Sequence, residues 1–520
     1  MLTEHVPELE VRAFGSRVTW TAREYSDLDL VLMTAEPLDI IRMGDLLEAF
    51  VQSDLPFRVD IVDWALTSES FRNIIEGGCI VVQKGKKLDT DNKWPTMSLG
   101  DCIVINDSTY SPKEAWPFIN YLDTGNITEN RISKIQNLIT GRDKIPSRAR
   151  RKVCLGDIVY STVRPNQKHF GLLKNIPENF LVSTGFSVIR AKSSYAHTSF
   201  IYWFLAQDHI VEYLQTIAEH STSAYPSIRP TDIECLKFKL PPLPEQRAIS
   251  HTLDALDDKI ELNRRMSETL EEIAQALFKS WFVDFDPVRA KMEGRWRRGE
   301  SLPGLPADLW ELFPEQVVNS KLGQVPDGWK IATLNDVTEQ PRKPENPIHS
   351  PDTLFSHFSI PAFDNGQTPK PEYGKDIKST KLKVFPETVL LSRLNPEIER
   401  VWLVDVNIEE KSVCSTEFLI LRSRLPFTQS YTYCLLRSYL LQRRIKALIT
   451  GTSKSHQRVH ADAVLSLGVI SPPQPVVEAF DLIATKLLNR VLQCRREIKA
   501  ASALRDTLLP KLISGELRVT

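Results

Sequence analysis

Leu240-Pro241-Pro242-Leu243-Pro244-Glu245-Gln246-Arg247-Ala248-Ile249 decides the architecture, because the chain writes this passage twice. The second writing is Ser471-Pro472-Pro473-Gln474-Pro475-Val476-Val477-Glu478, displaced by 231 residues. The same displacement carries Ser161 onto Ser392, Pro165 onto Pro396, Thr222-Ser223 onto Ser453-Lys454 and Leu236 onto Leu467. Further on it carries Arg264-Arg265 onto Arg495-Arg496 and Leu277 onto Leu508. A period this long is no solenoid repeat, so each copy must be a folded module with its own core. Two similar modules in one chain make a pseudo-dimer, a body suited to a target that itself has two halves.

The quoted passage also opens a helix. Proline in the first turn and Glu245 beside the N-terminus favour a start there. Ile249, Leu253, Leu256 and Ile260 follow at helical spacing, and Ile273, Leu277 and Trp281 extend the stripe. In the second copy Val476, Phe480, Ile483, Leu487 and Val491 repeat the pattern, with Leu504, Leu508 and Ile513 beyond. The departure at Val476-Val477-Glu478, where the first copy has the Glu-Gln-Arg start, keeps the length. Two amphipathic helices could each pack on their own module. Stripes running about 35 residues favour instead two long helices packed on each other as a spacer.

Outward from the repeat, 520 residues give room for about three domains. The expected divisions are 1–87, a small α/β unit with a basic end; 88–240, the first module; 241–290, a helix; and 291–326, a linker. The second module then covers 327–471 and a last helix 472–520. The modules open alike, Trp94 before Leu99-Gly100-Asp101 and Trp329 before Leu334-Asn335-Asp336. Each mixes short β-rich runs with a helical stretch near 198–218 or 429–449. The expected fold class is therefore mixed α+β: two tandem α/β modules separated by two long antiparallel coiled-coil helices, plus the N-terminal α/β unit. Seven scattered cysteines without a CxxC pair argue against zinc and disulfides and point to a reducing cytoplasm. No apolar run reads as a signal peptide or a membrane span. A net charge of −1 is not the global signature of a nucleic-acid binder, so any DNA binding must come from local patches.

The repeat resembles the specificity subunit of type I restriction–modification enzymes. The resemblance rests on Ile233-Glu234-Cys235-Leu236 leading into the quoted passage, and on Leu253-Asp254-Ala255-Leu256-Asp257-Asp258-Lys259-Ile260. Ala276-Leu277-Phe278-Lys279-Ser280-Trp281-Phe282-Val283-Asp284-Phe285 and the closing Leu508-Leu509-Pro510-Lys511-Leu512-Ile513-Ser514-Gly515-Glu516-Leu517 agree with it. It covers roughly residues 90–520. It implies two target-recognition domains, each reading half of a split double-stranded DNA sequence, with the helices fixing the half-site spacing. It also implies two methyltransferase subunits that bind S-adenosylmethionine, and restriction/translocase subunits that use ATP and Mg²⁺. The specificity subunit itself carries no catalytic site in this family and needs no cofactor of its own.

Residues 131–170 hold ten Lys or Arg against only Asp143 and Asp157. Such an excess could neutralise several phosphates, and arginine is well shaped to read guanine. The DNA-face candidates are Arg148, Arg150, Arg151, Lys152 and Arg164 in the first module, and Lys381, Lys383, Arg393 and Arg458 in the second. A solvated loop would carry the same charges. The polar loops 222–229 and 451–458 occupy equivalent positions. Arg295-Trp296-Arg297-Arg298 reads as a surface loop of the linker.

At the N-terminus, Gly15-Ser16 followed by Ser26-Asp27-Leu28-Asp29 resembles the minimal nucleotidyltransferases of the polymerase-β type. Asp27 and Asp29 lie two apart, so on a strand they share a face and could hold Mg²⁺ against a nucleoside triphosphate. Gly15 and Ser16 would approach the phosphates. The third acid this family uses falls in Phe57-Arg58-Val59-Asp60-Ile61-Val62-Asp63, with Asp60 favoured over Asp63. Trp20 stands where the family often has glycine, and only fourteen residues precede Gly15. A truncated domain that packs beside the first module would show the same residues. No HExxH, Walker, GxGxxG or GxSxG pattern is present, and no Asn-Pro-Pro-Tyr-like motif, so methyl transfer would need a partner. Three readings stay open: a DNA-specificity subunit, an active nucleotidyltransferase with the repeat as its targeting arm, and a pure assembly scaffold.

Overall fold

The displacement of 231 governs the three-dimensional structure as it governs the sequence. A computed structural model describes residues 2–519, except 20, 24–25, 35–36, 54, 56, 86–93, 222–224 and 450–456. The chain divides into two units, Met1–Thr96 and Met97–Thr520.

In the larger unit each module carries two sheets. The first module's outer sheet runs in the order Gln136–Ile139, Phe118–Leu122, Phe180–Ser183, Ala149–Lys152, with its two central strands parallel. The second module repeats this as Lys370–Tyr373, Leu354–Phe358, Ser412–Cys414, Lys381–Lys383, again with a parallel centre. It adds one edge strand, Pro344–Glu345. The inner sheets match as well: Phe170–Leu172, Ile158–Ser161, Phe186–Ala191, Ile103–Ile105 against Val401–Leu403, Thr388–Ser392, Phe418–Ser423, Thr338–Glu339. Every residue of Ile158–Ser161 and of Thr388–Ser392 is buried. That explains their near-continuous apolar reading, which belongs to strands covered on both faces. Helices Thr198–Leu205 and Asp208–Glu219 correspond to Gln429–Arg437 and Tyr439–Ala447.

The two long helices are Leu243–Phe282 and Gln474–Ser514, of 40 and 41 residues. Each is about 60 Å long. They run antiparallel, as their cross-pairs show: Arg518 with Glu245 at 2.8 Å, Arg505 with Asp257 at 3.1 Å, Lys259 with Glu497 at 3.1 Å, and Arg495 with Glu271. The expected apolar seam needs correction in the middle. Ile273 is 48% exposed and Leu504, its counterpart, 50%. The buried line on the first helix is Ile260, Asn263, Ser267, Glu271, Ala274, Phe278. Small and polar side chains occupy its centre, and a search for apolar stripes passes over them. Asn263 Nδ2 donates to Glu497 Oε2 across the seam at 3.0 Å.

Each helix also serves both modules, so the two packing alternatives are both realised. Near its start the first helix grips the first module. Gln246 Oε1 accepts from the His197 amide at 2.7 Å, and Asp254 accepts from the Ser199 hydroxyl at 2.8 Å. Near its end Phe278 and Phe282 enter the second module's core, 5.3 and 5.2 Å from the Tyr431 ring. The second helix reverses the order. Thr485 bonds Ser430 of the second module at 2.8 Å, and Arg505, far along, reaches Asp257, which also accepts from Asn130 of the first module at 2.9 Å.

The linker segment is likewise corrected. Arg295, Arg297 and Arg298 are exposed, but Trp296 between them is fully buried. Its ring lies 5.2 Å from Trp310, and its Nε1 donates to the Glu300 carbonyl at 2.8 Å. Lys291 Nζ donates to the carbonyls of Trp310 and Phe313, both at 2.6 Å, and sits 4.0 Å above the Trp310 ring. Burial lowers the Lys291 pKa.

The smaller unit is a four-stranded sheet ordered Val59–Asp63, Leu28–Leu32, Val11–Phe14, Cys79–Gln83. Leu30 and Leu32 pack with Leu46 of helix Ile40–Val51, whereas Val31 and Phe14 pack with Ile75 of helix Glu69–Glu76. Strand alternation thus places one helix on each face. Among the described residues no helix is long and apolar enough to cross a membrane.

Two histidines give the larger unit a pH dependence. Burial pushes His357 below its ordinary pKa despite Glu372 at 2.6 Å, with Lys381 and Lys370 adding to the depression. His197 is lowered too, by burial first and then by Arg247, against Asp254. The unfolded chain protonates these groups near pH ~6.5, before the folded one does. Stability should therefore be full above about pH 6.5 and fall as pH drops through the folded values. Denaturant midpoints measured across this range check it, and His357→Gln should flatten the slope.

Candidate nucleotide site and nucleic-acid interface

In the smaller unit the parallel pairing of Leu28–Leu32 with Val59–Asp63 sets Asp29 directly opposite Asp60. Burial raises the Asp29 pKa, and repulsion from Asp60 and then Asp27 adds to it. The three acids named from sequence are therefore electrostatic neighbours. Gly15 follows strand Val11–Phe14 at φ +82°, and a Cβ there would stand 2.3 Å from Asp29 Oδ2. Only glycine lets the turn close over that carboxylate. Asp60 meanwhile pairs with Arg58 at 3.1 Å. Asp63 is engaged elsewhere: its Oδ2 accepts from the Leu38 amide at 2.7 Å, and Thr34 also bonds it. Asp63 is thereby a structural acid. Ser16 lies beside Gly15, its carbonyl accepting from the Thr21 amide at 3.0 Å. Trp20 lies outside the described residues.

Among the described residues no three His, Cys, Asp or Glu side chains are drawn together as a metal cluster. The donor chemistry nevertheless fits Mg²⁺: hard carboxylate oxygens whose mutual repulsion a dication would relieve. Asp27 and Asp29 would hold it, and Asp60 would join by leaving Arg58. The bound ion would supply charge neutralisation on a triphosphate.

The basic candidates of the modules take definite places. Arg150, Arg151 and Lys152 lie on the edge strand Ala149–Lys152, which is irregular between Ala149 and Arg151, and Arg148 is exposed just before it. Arg151 is half-buried, its Nε lacks a partner among the described residues, and burial lowers its pKa. Lys152 pairs with Glu114 and lies 5.4 Å over the Trp116 ring. The same displacement of 231 places Lys381 and Lys383 on the corresponding strand of the second module. There Lys381 Nζ donates to Ser379 Oγ at 2.7 Å, and Lys383 lies 5.7 Å from the Phe385 ring. The two basic strands are thus one structural position used twice, an equivalence not drawn from the sequence although all the residues were.

Arg164 is exposed, with its guanidinium 5.7 Å from the Tyr225 ring. Arg393 and Arg458 converge. Arg458 pairs with Glu417 at 2.8 Å, and Arg393 donates to the Thr416 carbonyl at 2.6 Å. Residues 222–224 and 451–456 of the two polar loops lie outside the described residues. Sequence reading missed Asn395, the counterpart of Arg164. The constant displacement was the signal that could have found it.

Residues 91–272 match the family model of the type I restriction modification DNA specificity domain. The chain is 26% identical over 479 residues to the type I restriction enzyme HindI specificity subunit of Haemophilus influenzae, spanning 82% of this chain and 99% of that protein. A crystal structure of the type I restriction–modification system S subunit from M. genitalium aligns over 82% of this chain and 98% of that one. The identity there is 15% and the TM-score 0.49. The N-terminal part is 52% identical over 87 residues to the probable protein adenylyltransferase MntA of Haemophilus influenzae, 17% of this chain and 76% of that protein. Residues 91–272 therefore carry the type I restriction modification DNA specificity domain, the repeat body as a whole is similar to type I specificity subunits, and the N-terminal unit is similar to the adenylyltransferase MntA.

Proposed function

We propose that the chain directs a modification complex to a split double-stranded DNA target, one module to each half. The observation carrying this reading is that the first long helix is anchored in both modules, while the second is anchored in the second module and bonds Asp257 of the first helix, itself held by Asn130 of the first module, which makes the antiparallel pair a spacer between them. A fixed distance between two similar reading heads suits a sequence with a fixed gap. Two methyltransferase subunits would supply S-adenosylmethionine chemistry, and restriction/translocase subunits would use ATP and Mg²⁺. The complex would work in the cytoplasm, consistent with seven free cysteines. Co-expression with the methyltransferase subunit and single-molecule mapping of methylated adenines should give a split motif of constant gap. Exchanging residues 327–471 for the second module of another specificity subunit should change one half only. A soluble complex that methylates without a split motif would defeat the proposal.

A second reading applies to residues 1–87 alone: transfer of a nucleotide from Mg-NTP to a protein or RNA. Gly15 closing over Asp29, which faces Asp60, favours it. Incubation with α-labelled ATP and Mg²⁺ should label an acceptor. Asp27→Ala and Gly15→Ala should both abolish labelling, the second because its Cβ would collide with Asp29 Oδ2. The methylation motif should survive both substitutions. Labelling that persists in Asp27→Ala would reject this reading.

A further inference from the structure

Just after the inner-sheet strand of each module the chain makes the same turn, and the turn ends on a strained residue. Ser161 Oγ donates to the Val163 carbonyl at 2.9 Å, and Ser392 Oγ to the Leu394 carbonyl at 3.1 Å. The turn is clamped by the loop ahead of the next short helix. The Arg164 amide donates to the Pro226 carbonyl at 3.0 Å, and the Asn395 amide to that of Gln457 at 2.8 Å. The return bonds match too: Ile228 amide to Thr162 carbonyl at 2.8 Å, Val459 amide to Arg393 carbonyl at 3.1 Å. Both turns end on a buried proline, Pro165 or Pro396. The residue before each proline is left-handed, Arg164 at φ +50° and Asn395 at φ +48°.

A left-handed residue before proline is doubly disfavoured. Asparagine tolerates such a φ, but arginine has no backbone reason to be there. Strain of this kind, held by surrounding hydrogen bonds, gathers at functional sites. The hydrogen bonds of the turn and its left-handed residue are shared, and what differs is the side chain it carries. Arg164 is exposed beside the exposed Tyr225 ring. Asn395 is half-buried, and its Oδ1 is enclosed without a hydrogen-bond partner among the described residues, so it must turn outward to meet a base. Arginine and asparagine are also among the side chains that bond a purine in the major groove with two hydrogen bonds, arginine to guanine O6 and N7, asparagine to adenine N6 and N7.

We propose that Arg164 and Asn395 are specificity-determining residues at one repeated reading position, Arg164 bonding a guanine in one half-site and Asn395 an adenine in the other. The assignment rests on the proposed reading of split DNA. The test uses the full chain assembled with its methyltransferase subunits and maps adenine methylation across genomic DNA. Arg164→Asn and Asn395→Arg each install the residue the sister module already carries on the same turn, so the backbone accepts them. Each should alter one base of one half-site, leaving the gap and the other half intact. Methylation at sites with the original base should fall by roughly tenfold or more. Arg164→Lys, which keeps the charge but loses the two-bond fork, should relax the guanine requirement at an unchanged salt dependence of binding. A motif unaltered in all three variants overturns the assignment. So does a uniform loss of methylation with base preference retained, which would mark Arg164 as a phosphate contact. Absence of any split motif from the unsubstituted complex would instead defeat the DNA-reading proposal beneath it.

Discussion

Replacing Glu271 by alanine should cost about 3–5 kcal/mol of folding free energy, the range for removing one partner of a buried ion pair. Glu271 sits on the first long helix at 9% exposure. One carboxylate oxygen accepts from Arg437 Nη1 at 2.5 Å, and the other pairs with Arg495 of the second helix. Arg437 belongs to the second module, where Tyr433 Oη and Glu399 also bond it, at 2.9 and 2.8 Å. One carboxylate thus ties both helices and a module into a single junction. Without it two arginines face each other in a poorly solvated seam, and Arg495 Nη1 is already without a partner among the described residues. Denaturant titration of the larger unit measures the loss. Glu271→Gln keeps the volume and should fall between wild type and alanine. Replacing Glu271, Arg437 and Arg495 together by leucine should recover most of the stability, because the desolvation cost of the charges disappears with them. An alanine variant within about 0.5 kcal/mol of wild type, the usual surface value, would show that the junction holds nothing.

Trp296→Ala should be comparably severe, about 3–5 kcal/mol, the usual range for emptying a buried aromatic site. The side chain is fully buried against Trp310 and Phe313, at 5.2 and 6.2 Å, and its Nε1–H bonds the Glu300 carbonyl. The cluster continues through Trp281, 5.2 Å from Phe313, to Phe480 of the second helix at 6.1 Å. Protease should therefore cut the variant between residues 291 and 326 well before it cuts the parent. Had Trp296 been the surface residue its three arginine neighbours imply, the loss would stay within about 0.5 kcal/mol. Cleavage at the parent rate would restore that reading.

The N-terminal acids were singled out by the resemblance to minimal nucleotidyltransferases, with Asp60 favoured over Asp63; the strand Leu28–Leu32 holds Asp29 and begins one residue after Asp27. The register of Asp29 against Asp60, and the capture of Asp63 by Thr34 and the Leu38 amide, are matters of pairing that no spacing carries. Arg295-Trp296-Arg297-Arg298 misled for a related reason. Charge density describes the average surface of a segment, whereas one indole can turn inward while its neighbours stay in water.

By itself the sequence determined the duplication, the presence of a long helix after each proline passage, and the mixed α+β class. These depend on local propensity and on comparison of the chain with itself, so they survive without coordinates. The first helix ends at Phe282, short of the expected 290, where a separate helix Asp286–Met292 begins. The tertiary structure decided the true helix seam, where Asn263, Ser267 and Glu271 replace the expected apolar line and Ile273 and Leu504 face outward. It also decided that each helix is shared by both modules, and that Arg164 and Asn395 stand on one repeated turn. A buried polar side chain reads as exposed until its partner is known. Here the partners lie 160 or more residues away, as Arg437 and Arg495 do from Glu271.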